Sequence, residues 1–149
     1  MVAYSFKKRF GPRILAGTKA QTIRAERAGR SRHARPGELV QLYTGLRSHQ
    51  ARKLGEARCL SVEAIRIELP RARCVPEVLI FDAAGALTRH IHWPGELREF
   101  ARADGFADFD ELHAFWCAEH PGVDTFHGVL IRWQPLVTAE ALDIAGVAA

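Results

Sequence analysis

Short runs of apolar and β-branched residues, each ended by glycine, proline or an aspartate-containing turn, recur along most of this chain. Runs of this length with period-two alternation are typical of strands, and the alternation is clearest at 65–69, IRIEL. The pattern predicts five to seven strands in an α+β domain, and we expect a small mixed β-barrel with short flanking helices. Periodicity leaves a two-layer α+β sandwich open as the alternative. The predicted strands are 3–6, 21–25, 39–44, 54–69, 78–81, 87–93 and 127–133.

Helix signals lie between these predicted strands. Pro12 favours the first turn of a short helix and Gly17 its end, because glycine readily takes the left-handed conformation that follows a last helical turn. Pro94 is typical of a second helix start. Asp108, with Glu111 three residues later, forms the N-cap and capping-box pattern of a third helix.

Length and cysteine usage bound the class of protein. A chain of 149 residues without internal repeat or linker indicates one domain, for which we expect 1–136, followed by a tail over 137–149. Cys59, Cys74 and Cys117 are far apart and odd in number, which argues against a disulfide framework and favours a reducing compartment. Because no signal-peptide pattern and no run of membrane-spanning length occurs, we expect a soluble cytoplasmic protein with no membrane partner.

Charge is distributed unevenly along the chain. Residues 1–58 carry 14 lysines and arginines against three glutamates, whereas residues 59–149 carry seven against 14 aspartates and glutamates. Such asymmetry indicates that the N-terminal part meets an anion, and RNA or a nucleotide derived from it is the natural candidate. The alternative is a solvated basic surface that keeps the protein soluble.

One segment is more informative than the rest: ILAGTKAQTIR at 14–24, which is followed by the turn RPGE at 35–38 and a predicted strand. Later, ADGF at 103–106 ends a predicted helix, and FHGVLIRW at 126–133 forms the last predicted strand. Together these segments resemble the ASCH family of PUA-like domains, over about residues 3–134 with a divergent stretch at about 69–95. The lysine-to-arginine segment is specific in combination with Pro-Gly-Glu, whereas either piece alone is weak.

The resemblance implies a PUA-like β-barrel, with 1–136 as the ASCH domain and a cleft that faces RNA or a modified nucleoside. One bacterial branch of the family hydrolyses the acetyl amide of N4-acetylcytidine nucleosides, using a lysine and a threonine of this segment and a downstream glutamate. Lys19 and Thr22 match the first two residues, and Asp104 stands where the glutamate would fall, with a side chain one methylene shorter. Other members are linked to RNA cleavage or to regulatory RNA binding. A metal-independent ribonuclease for single-stranded RNA and a non-catalytic RNA-binding module therefore stay open beside the hydrolase.

The residue chemistry of this segment agrees with acyl transfer. Neighbouring cations and partial burial each lower a lysine pKa, and a neutral Lys19 can take the proton from the Thr22 hydroxyl and activate it for attack on an amide carbon. Arg24 is a candidate for clamping a phosphate or a developing oxyanion, and Asp104 for orienting the ammonium group or handling protons. The alternative is that Lys19 and Arg24 are surface charges and that Thr22 packs in a strand.

Several further side chains are candidates for contact with a nucleic acid. Phosphate contacts position such a ligand without specifying its sequence. Tyr43 ends a predicted strand, where it either stacks on a base or lies in the core with its hydroxyl at the rim. The phosphate candidates are Arg9, Arg24, Arg27, Arg30, Arg32, His33, Arg35 and Arg47.

Other kinds of site lack support in the sequence. No glycine-rich phosphate loop, GxSxG elbow or HExxH motif occurs, which argues against common nucleotidases, serine hydrolases and zinc proteases. His90 and His92, two positions apart on a predicted strand, suggest a metal site together with His127. Because the spacing supplies no clear third ligand, we expect no metal and no cofactor. Trp93, Trp116 and Trp133 are expected to be core anchors.

Overall fold

The computed structural model describes residues 2–27, 32–69 and 76–136, and over these ranges the chain forms seven strands and three α-helices. The predicted tail 137–149 and the phosphate candidate Arg30 lie outside the described residues. The strands are β1 (Val2–Phe6), β2 (Gln21–Arg24), β3 (Leu39–Thr44), β4 (Arg52–Glu68), β5 (Glu77–Phe81), β6 (Leu87–Ile91) and β7 (Thr125–Trp133). The helices are α1 (Gly11–Leu15), which follows a 3₁₀ turn at Lys8–Phe10, α2 (Pro94–Ala103) and α3 (Phe109–Glu119).

The long strand β4 organises a single seven-stranded sheet. Its first part pairs antiparallel with β3, and its second part pairs antiparallel with both β5 and β7. β1 lies parallel to β3, β2 antiparallel to β7, and β6 antiparallel to β5. The predicted α+β class and the strand number are confirmed, while no ladder among the described residues closes the sheet, so the barrel stays a prediction.

The hydrophobic core draws on every strand and helix of the described chain. Tyr4 and Phe6 of β1 alternate with half-buried neighbours, as do Val40 and Leu42 of β3, because successive strand residues point to opposite faces. Phe109, Leu112 and Trp116 give α3 its buried face. Full burial of a large apolar side chain contributes about 1.5–3 kcal/mol, so this shared cluster holds α2 and α3 against the sheet.

Local signals in the sequence act as expected at three helix ends. Gly17 has a φ of 80° just after α1, and Pro12 lies in the first turn of that helix. The Asp108 carboxylate accepts a hydrogen bond from the Glu111 backbone N–H and so caps α3. The Glu111 carboxylate accepts from the Ala107 N–H, one residue before the cap, so the capping box is shifted by one position.

Trp93 contradicts the expectation that all three tryptophans anchor the core. Trp133 and Trp116 are buried, but Trp93 is 64% exposed. It occupies the N-cap position of α2 in an extended conformation, after β6 has ended at Ile91, and its ring packs on His92 instead of the core.

Among the described helices, none is long and apolar enough to cross a membrane.

Candidate active site

Lys19 is placed by the turn that ends α1. The backbone N–H groups of Thr18 and Lys19 both donate to the Arg13 carbonyl, and the Ala20 N–H donates to Ala103 O. These bonds tie the segment to the end of α1 on one side and to the end of α2 on the other. The Lys19 side chain follows, and its Nζ donates to the carbonyl oxygens of Gln21 at 2.8 Å and Asp104 at 2.6 Å.

Burial dominates the electrostatics of Lys19. The residue is only 3% exposed, and its Nζ lies 5.3 Å from the Phe6 ring centroid and 5.0 Å from that of Phe10. Loss of solvation lowers the Lys19 pKa from 10.5 to about 8, with Arg24 lowering it further and Asp104 opposing the shift. A substantial fraction of neutral amine is therefore present near physiological pH, as the sequence analysis expects for a base.

Asp104 lies at the C-cap of α2 beside this amine. Its Oδ1 is 3.8 Å from Lys19 Nζ, which is an ion-pair distance rather than a hydrogen bond, and it accepts weakly from Gln21 Nε2 at 3.4 Å. Burial raises the Asp104 pKa, although Lys19 and Gln21 each lower it. Desolvation thus lowers the Lys19 pKa and raises the Asp104 pKa, so it favours the uncharged form of both groups. This is typical of a buried pair that exchanges a proton at low cost.

Thr22 and Arg24 lie on the same face of β2, two residues apart. Arg24 Nε donates to Thr22 Oγ1 at 3.0 Å, and Arg24 Nη2 donates to the Ser5 carbonyl of β1 at 2.7 Å. The guanidinium is held over the rings of Tyr4 and Phe6 at 5.4 and 5.0 Å. Because Thr22 Oγ1 accepts from a cation, negative charge that develops on this oxygen is stabilised.

Gly105 permits the close packing around Lys19. It has a φ of 100°, and a Cβ built there would lie 2.7 Å from Lys19 Cδ and 2.9 Å from Phe10 Cδ1. Both values are shorter than carbon–carbon contacts allow, so any side chain at this position displaces the lysine or the phenylalanine. The turn between α2 and α3 therefore packs directly against the Lys19 side chain, and this packing requires a glycine at position 105.

These groups open into one cavity of about 260 Å³, which we call the Lys19 cavity. Lys19, Thr22, Arg24 and Asp104 line its polar side. Its other walls are aromatic, and Phe10, Phe106 and Phe115 contact one another with ring centroids 5.3–5.7 Å apart. A small hollow with aromatic walls and a few convergent polar groups is the usual form of a site for a planar ligand. The aromatic wall residues are Phe6, Phe10, Phe106, Phe115 and Trp116.

Some phosphate candidates gather in a second hollow beside the first. Arg24, Arg27 and Arg47 line a cavity of about 500 Å³, the Arg47 cavity, which shares Ser5 and Arg24 with the Lys19 cavity. Arg27 packs over the Tyr4 ring at 5.2 Å and donates to the Arg32 carbonyl at 2.9 Å. Three of the predicted cations thus reach one region.

The other candidates lie elsewhere. Arg9 stacks over Phe10, Phe106 and Phe115 at 5.1–5.6 Å and pairs with Glu111, so it covers the outer side of the aromatic wall. Arg32 makes two bonds to the Glu38 carboxylate at 2.7 and 2.9 Å. The Arg35 side chain is exposed, and its backbone N–H donates to the same carboxylate. Tyr43 is half-buried on β3, and it is not among the lining residues of the cavities described here.

His33 has a structural role in the described part of the chain. Its Nδ1 lies 3.1 Å from Tyr4 Oη and its Nε2 2.7 Å from the Ala25 carbonyl, while Tyr4 Oη also accepts from the Ala34 N–H at 3.0 Å. The neutral ring satisfies both contacts if Nε2 carries the proton, and burial lowers the His33 pKa in agreement. The contact ties the basic connection between β2 and β3 to the core.

The aromatic wall is not predicted from the sequence. Phe10 lies in the 3₁₀ turn, Phe106 between α2 and α3, and Phe115 in α3, and no pattern along the chain links them. Phe106 belongs to the ADGF motif at 103–106, but the motif does not indicate that its ring lines a cavity. Trp116 was assigned to the core, where it does lie, but it also lines the cavity.

A metal site does not emerge from the part of the chain that is described. No group of three or more histidine, cysteine, aspartate or glutamate side chains there is placed to hold an ion. His90 and His92 do share one side of the chain, with ring centroids 4.4 Å apart, and His90 Nε2 lies 3.4 Å from Glu77 Oε2.

No family model matches the chain, and no curated protein and no solved structure matches it either. The geometry of the Lys19 cavity and the motifs of the sequence are therefore the features that point to a function.

Proposed function

We propose that this chain is a PUA-like ASCH protein whose Lys19 cavity holds the base of a modified nucleoside, free or within RNA, and hydrolyses an acyl amide on that base. One observation carries the proposal. A buried lysine with a lowered pKa, a threonine hydroxyl bonded to an arginine and a buried carboxylate converge on one hollow with aromatic walls. The ASCH-like motifs contain the same lysine and threonine, so sequence and geometry support one set of residues.

The hydrogen bonds of Lys19 match the needs of a base. A neutral amine has two hydrogens and one lone pair, and the two carbonyl oxygens of Gln21 and Asp104 accept those two hydrogens. The lone pair then stays free to accept a proton. In the proposed first step, Lys19 Nζ takes the Thr22 hydroxyl proton while Thr22 Oγ1 attacks the amide carbon.

The remaining steps return the enzyme to its starting state. The Lys19 ammonium group gives its proton to the leaving nitrogen, which departs as the exocyclic amine of the base, and the acyl group remains on Thr22 as an ester. Water then attacks this ester while Lys19 takes one of its protons. The Lys19 ammonium group passes that proton to Thr22 Oγ1 as the ester bond breaks, which releases the carboxylic acid and restores both the threonine hydroxyl and the neutral amine. Arg24 stabilises the charge on Thr22 Oγ1, and Asp104 holds the amine in place and offsets the ammonium charge.

The test uses N4-acetylcytidine as substrate and follows the release of acetate. We expect turnover by the wild type and a loss of at least about a hundredfold in kcat/KM for Lys19→Met and for Thr22→Val. Thr18→Val is the matched control, because Thr18 lies outside the cavity and its hydroxyl donates to the Arg13 carbonyl. No turnover by the wild type, or equal turnover by Thr22→Val and the wild type, would contradict the acyl-amide reaction.

The Arg47 cavity favours a second candidate, a metal-independent ribonuclease acting on single-stranded RNA. Its three arginines adjoin the Lys19 cavity and suit a polyanion better than a free nucleoside. In that reaction neutral Lys19 takes the proton of a ribose 2′-hydroxyl, whose oxygen attacks the neighbouring phosphate. The bond from phosphorus to the 5′-oxygen of the next nucleotide breaks, the Lys19 ammonium group returns the proton to that oxygen, and a 2′,3′-cyclic phosphate remains. Cleavage of labelled RNA that resists a chelator and is lost in Lys19→Met, but persists in Thr22→Val, would identify this function. Bound RNA that survives intact would instead identify a non-catalytic RNA-binding module.

A further inference from the structure

A third cavity, of about 720 Å³, is lined by residues of β1, α1 and the turn between β3 and β4. We call it the Lys8 cavity. It shares the consecutive residues Ser5, Phe6 and Lys7 with the Lys19 cavity, so the two cavities border the same stretch of chain at the end of β1. Its volume is within the roughly 300–1,000 Å³ of small-molecule sites. Nothing in the proposed reaction uses it.

The Lys8 cavity combines an apolar surface with a cationic one. Phe6, Pro12, Leu15 and Leu54 supply most of its apolar lining. Lys7, Lys8 and Arg52 supply its charge, and no carboxylate is among its lining residues. A hollow with charges of one sign over low-dielectric walls concentrates the opposite ion.

Two of these three cations have no ion-pair partner among the described residues. Lys7 pairs with Glu119 of α3, which neutralises it in part. Lys8 and Arg52 have no ion pair with any residue of the described ranges, although other cations nearby, such as Lys53 with Glu56, do have one. Unpaired lysine and arginine side chains at the rim of one cavity are the usual partners of a phosphate group.

The turn at the back of the cavity has a fixed shape. Gly45 has a φ of 60°, and Ser48 Oγ donates to the Gly45 carbonyl and accepts from the Gln50 N–H, at 2.8 and 3.2 Å. The Leu46 N–H donates to Ser5 Oγ at 3.1 Å, which joins the turn to β1. Ser5, Gly45 and Ser48 line both the Lys8 cavity and the Arg47 cavity, and Ser5 also lines the Lys19 cavity, so Ser5 borders all three.

We propose that the Lys8 cavity binds a phosphate group of the molecule whose base occupies the Lys19 cavity, with Lys8 and Arg52 as its partners. The apolar lining then faces the attached sugar or, in an RNA chain, the neighbouring nucleotide. This inference rests on the proposed function and narrows it, since the ligand is then a nucleotide unit and not a free nucleoside. The phosphate belongs either to a mononucleotide or to an RNA chain, and both present the same anionic oxygens.

Calorimetric titration of the full chain tests the inference without any turnover. We expect cytidine 5′-monophosphate or the dinucleotide CpC to bind at least about tenfold more tightly than cytidine, because charge-assisted hydrogen bonds to phosphate are among the strong ones. Lys8→Ala combined with Arg52→Ala is expected to reduce that advantage to nearly none while leaving cytidine binding unchanged. Arg89→Ala, which removes an exposed cation of β6 away from the cavity lining, is the control and is expected to keep the advantage.

The outcomes separate the two proposals. A preference for the monophosphate assigns the ligand to mononucleotides, and a preference for CpC assigns it to RNA. Equal binding of cytidine and both phosphorylated ligands, or an advantage that survives in the double variant, would overturn the phosphate site while the proposed function stands. Phosphate-dependent binding that requires Lys8 and Arg52, with no acetate release from any acetylated ligand, would keep the site and remove the hydrolase.

Discussion

At the scale of single residues, the account depends on the competition between burial and charge at Lys19. Desolvation lowers its pKa to about 8, and the nearby Asp104 carboxylate limits that fall. Asp104 in turn is buried so completely that its own pKa is raised despite its cationic neighbour. A buried ion pair is weak as a source of stability, which agrees with the chemical role proposed for this pair.

Asp104→Asn tests this coupling. The substitution removes the anion that favours the ammonium form, so we expect the Lys19 pKa to fall below its wild-type value of about 8. Since neutral Lys19 is the proposed base, the rise of kcat/KM with pH moves to lower pH by the same amount. NMR titration of the Lys19 Cε signal measures the pKa directly, even in an inactive variant. Asp110→Asn, on the exposed side of α3, is the control, and an unchanged or higher Lys19 pKa in Asp104→Asn contradicts the coupling.

At the scale of elements, the corner between α2 and α3 determines where the amine lies. Asp104 ends α2, Gly105 turns the chain, and Phe106 adds a ring to the cavity wall. Of these three consecutive residues, Asp104 thus supplies a carboxylate, Gly105 leaves room for the Lys19 side chain, and Phe106 supplies an aromatic ring.

Gly105→Ala is expected to disturb the site more than the fold. The added Cβ meets Lys19 and Phe10 at less than 3.0 Å, so the lysine moves and kcat/KM falls at least about tenfold. Gly85→Ala is a close control, because Gly85 also has a positive φ, 84°, but its Cβ would meet no atom within 4 Å. Both variants carry the backbone strain of alanine at positive φ, so the difference between them isolates the contact with Lys19. Equal activity and equal thermal stability of the two variants contradict the role assigned to this corner.

The sequence predicts features of these elements whose interacting residues are close together along the chain, and it misses those whose partners are far apart. The bounds of β3 were predicted at both ends, and the caps at Gly17 and Asp108 were found because their partners lie within a few residues. Lys19, Thr22 and Asp104 were chosen through the ASCH-like motifs, and the structure brings them to one cavity. Arg9 and Glu111 pair although they are 102 positions apart in the sequence, and no local pattern predicts this contact.

In the whole molecule, several cations of the basic N-terminal half line cavities that Ser5 borders. Part of the basic half is neutralised by the acidic half, as in the pairs of Lys7 with Glu119 and Arg9 with Glu111. Lys8, Arg47 and Arg52 have no such partner among the described residues and line the two larger cavities beside the Lys19 cavity.

This arrangement predicts the salt dependence of RNA binding. Three phosphates neutralised by these cations release counterions and contribute about −2 to the slope of the logarithm of the association constant against that of salt concentration. We expect the combined substitution of Lys8, Arg47 and Arg52 by alanine to make the slope less steep by about 2, as measured by fluorescence anisotropy with a short single-stranded RNA. Arg89→Ala should leave it unchanged. A slope that the triple substitution does not alter would place the RNA on another surface.

The most direct measurement is a crystal structure of the Thr22→Val variant with N4-acetylcytidine, which removes the proposed nucleophile and keeps the substrate intact. We expect the base between the rings of Phe10 and Trp116 in the Lys19 cavity, with the acetyl carbon facing the side chain at position 22 and Lys19 Nζ. A ligand bound outside this cavity, or one whose acetyl group points away from the lysine, would contradict the account.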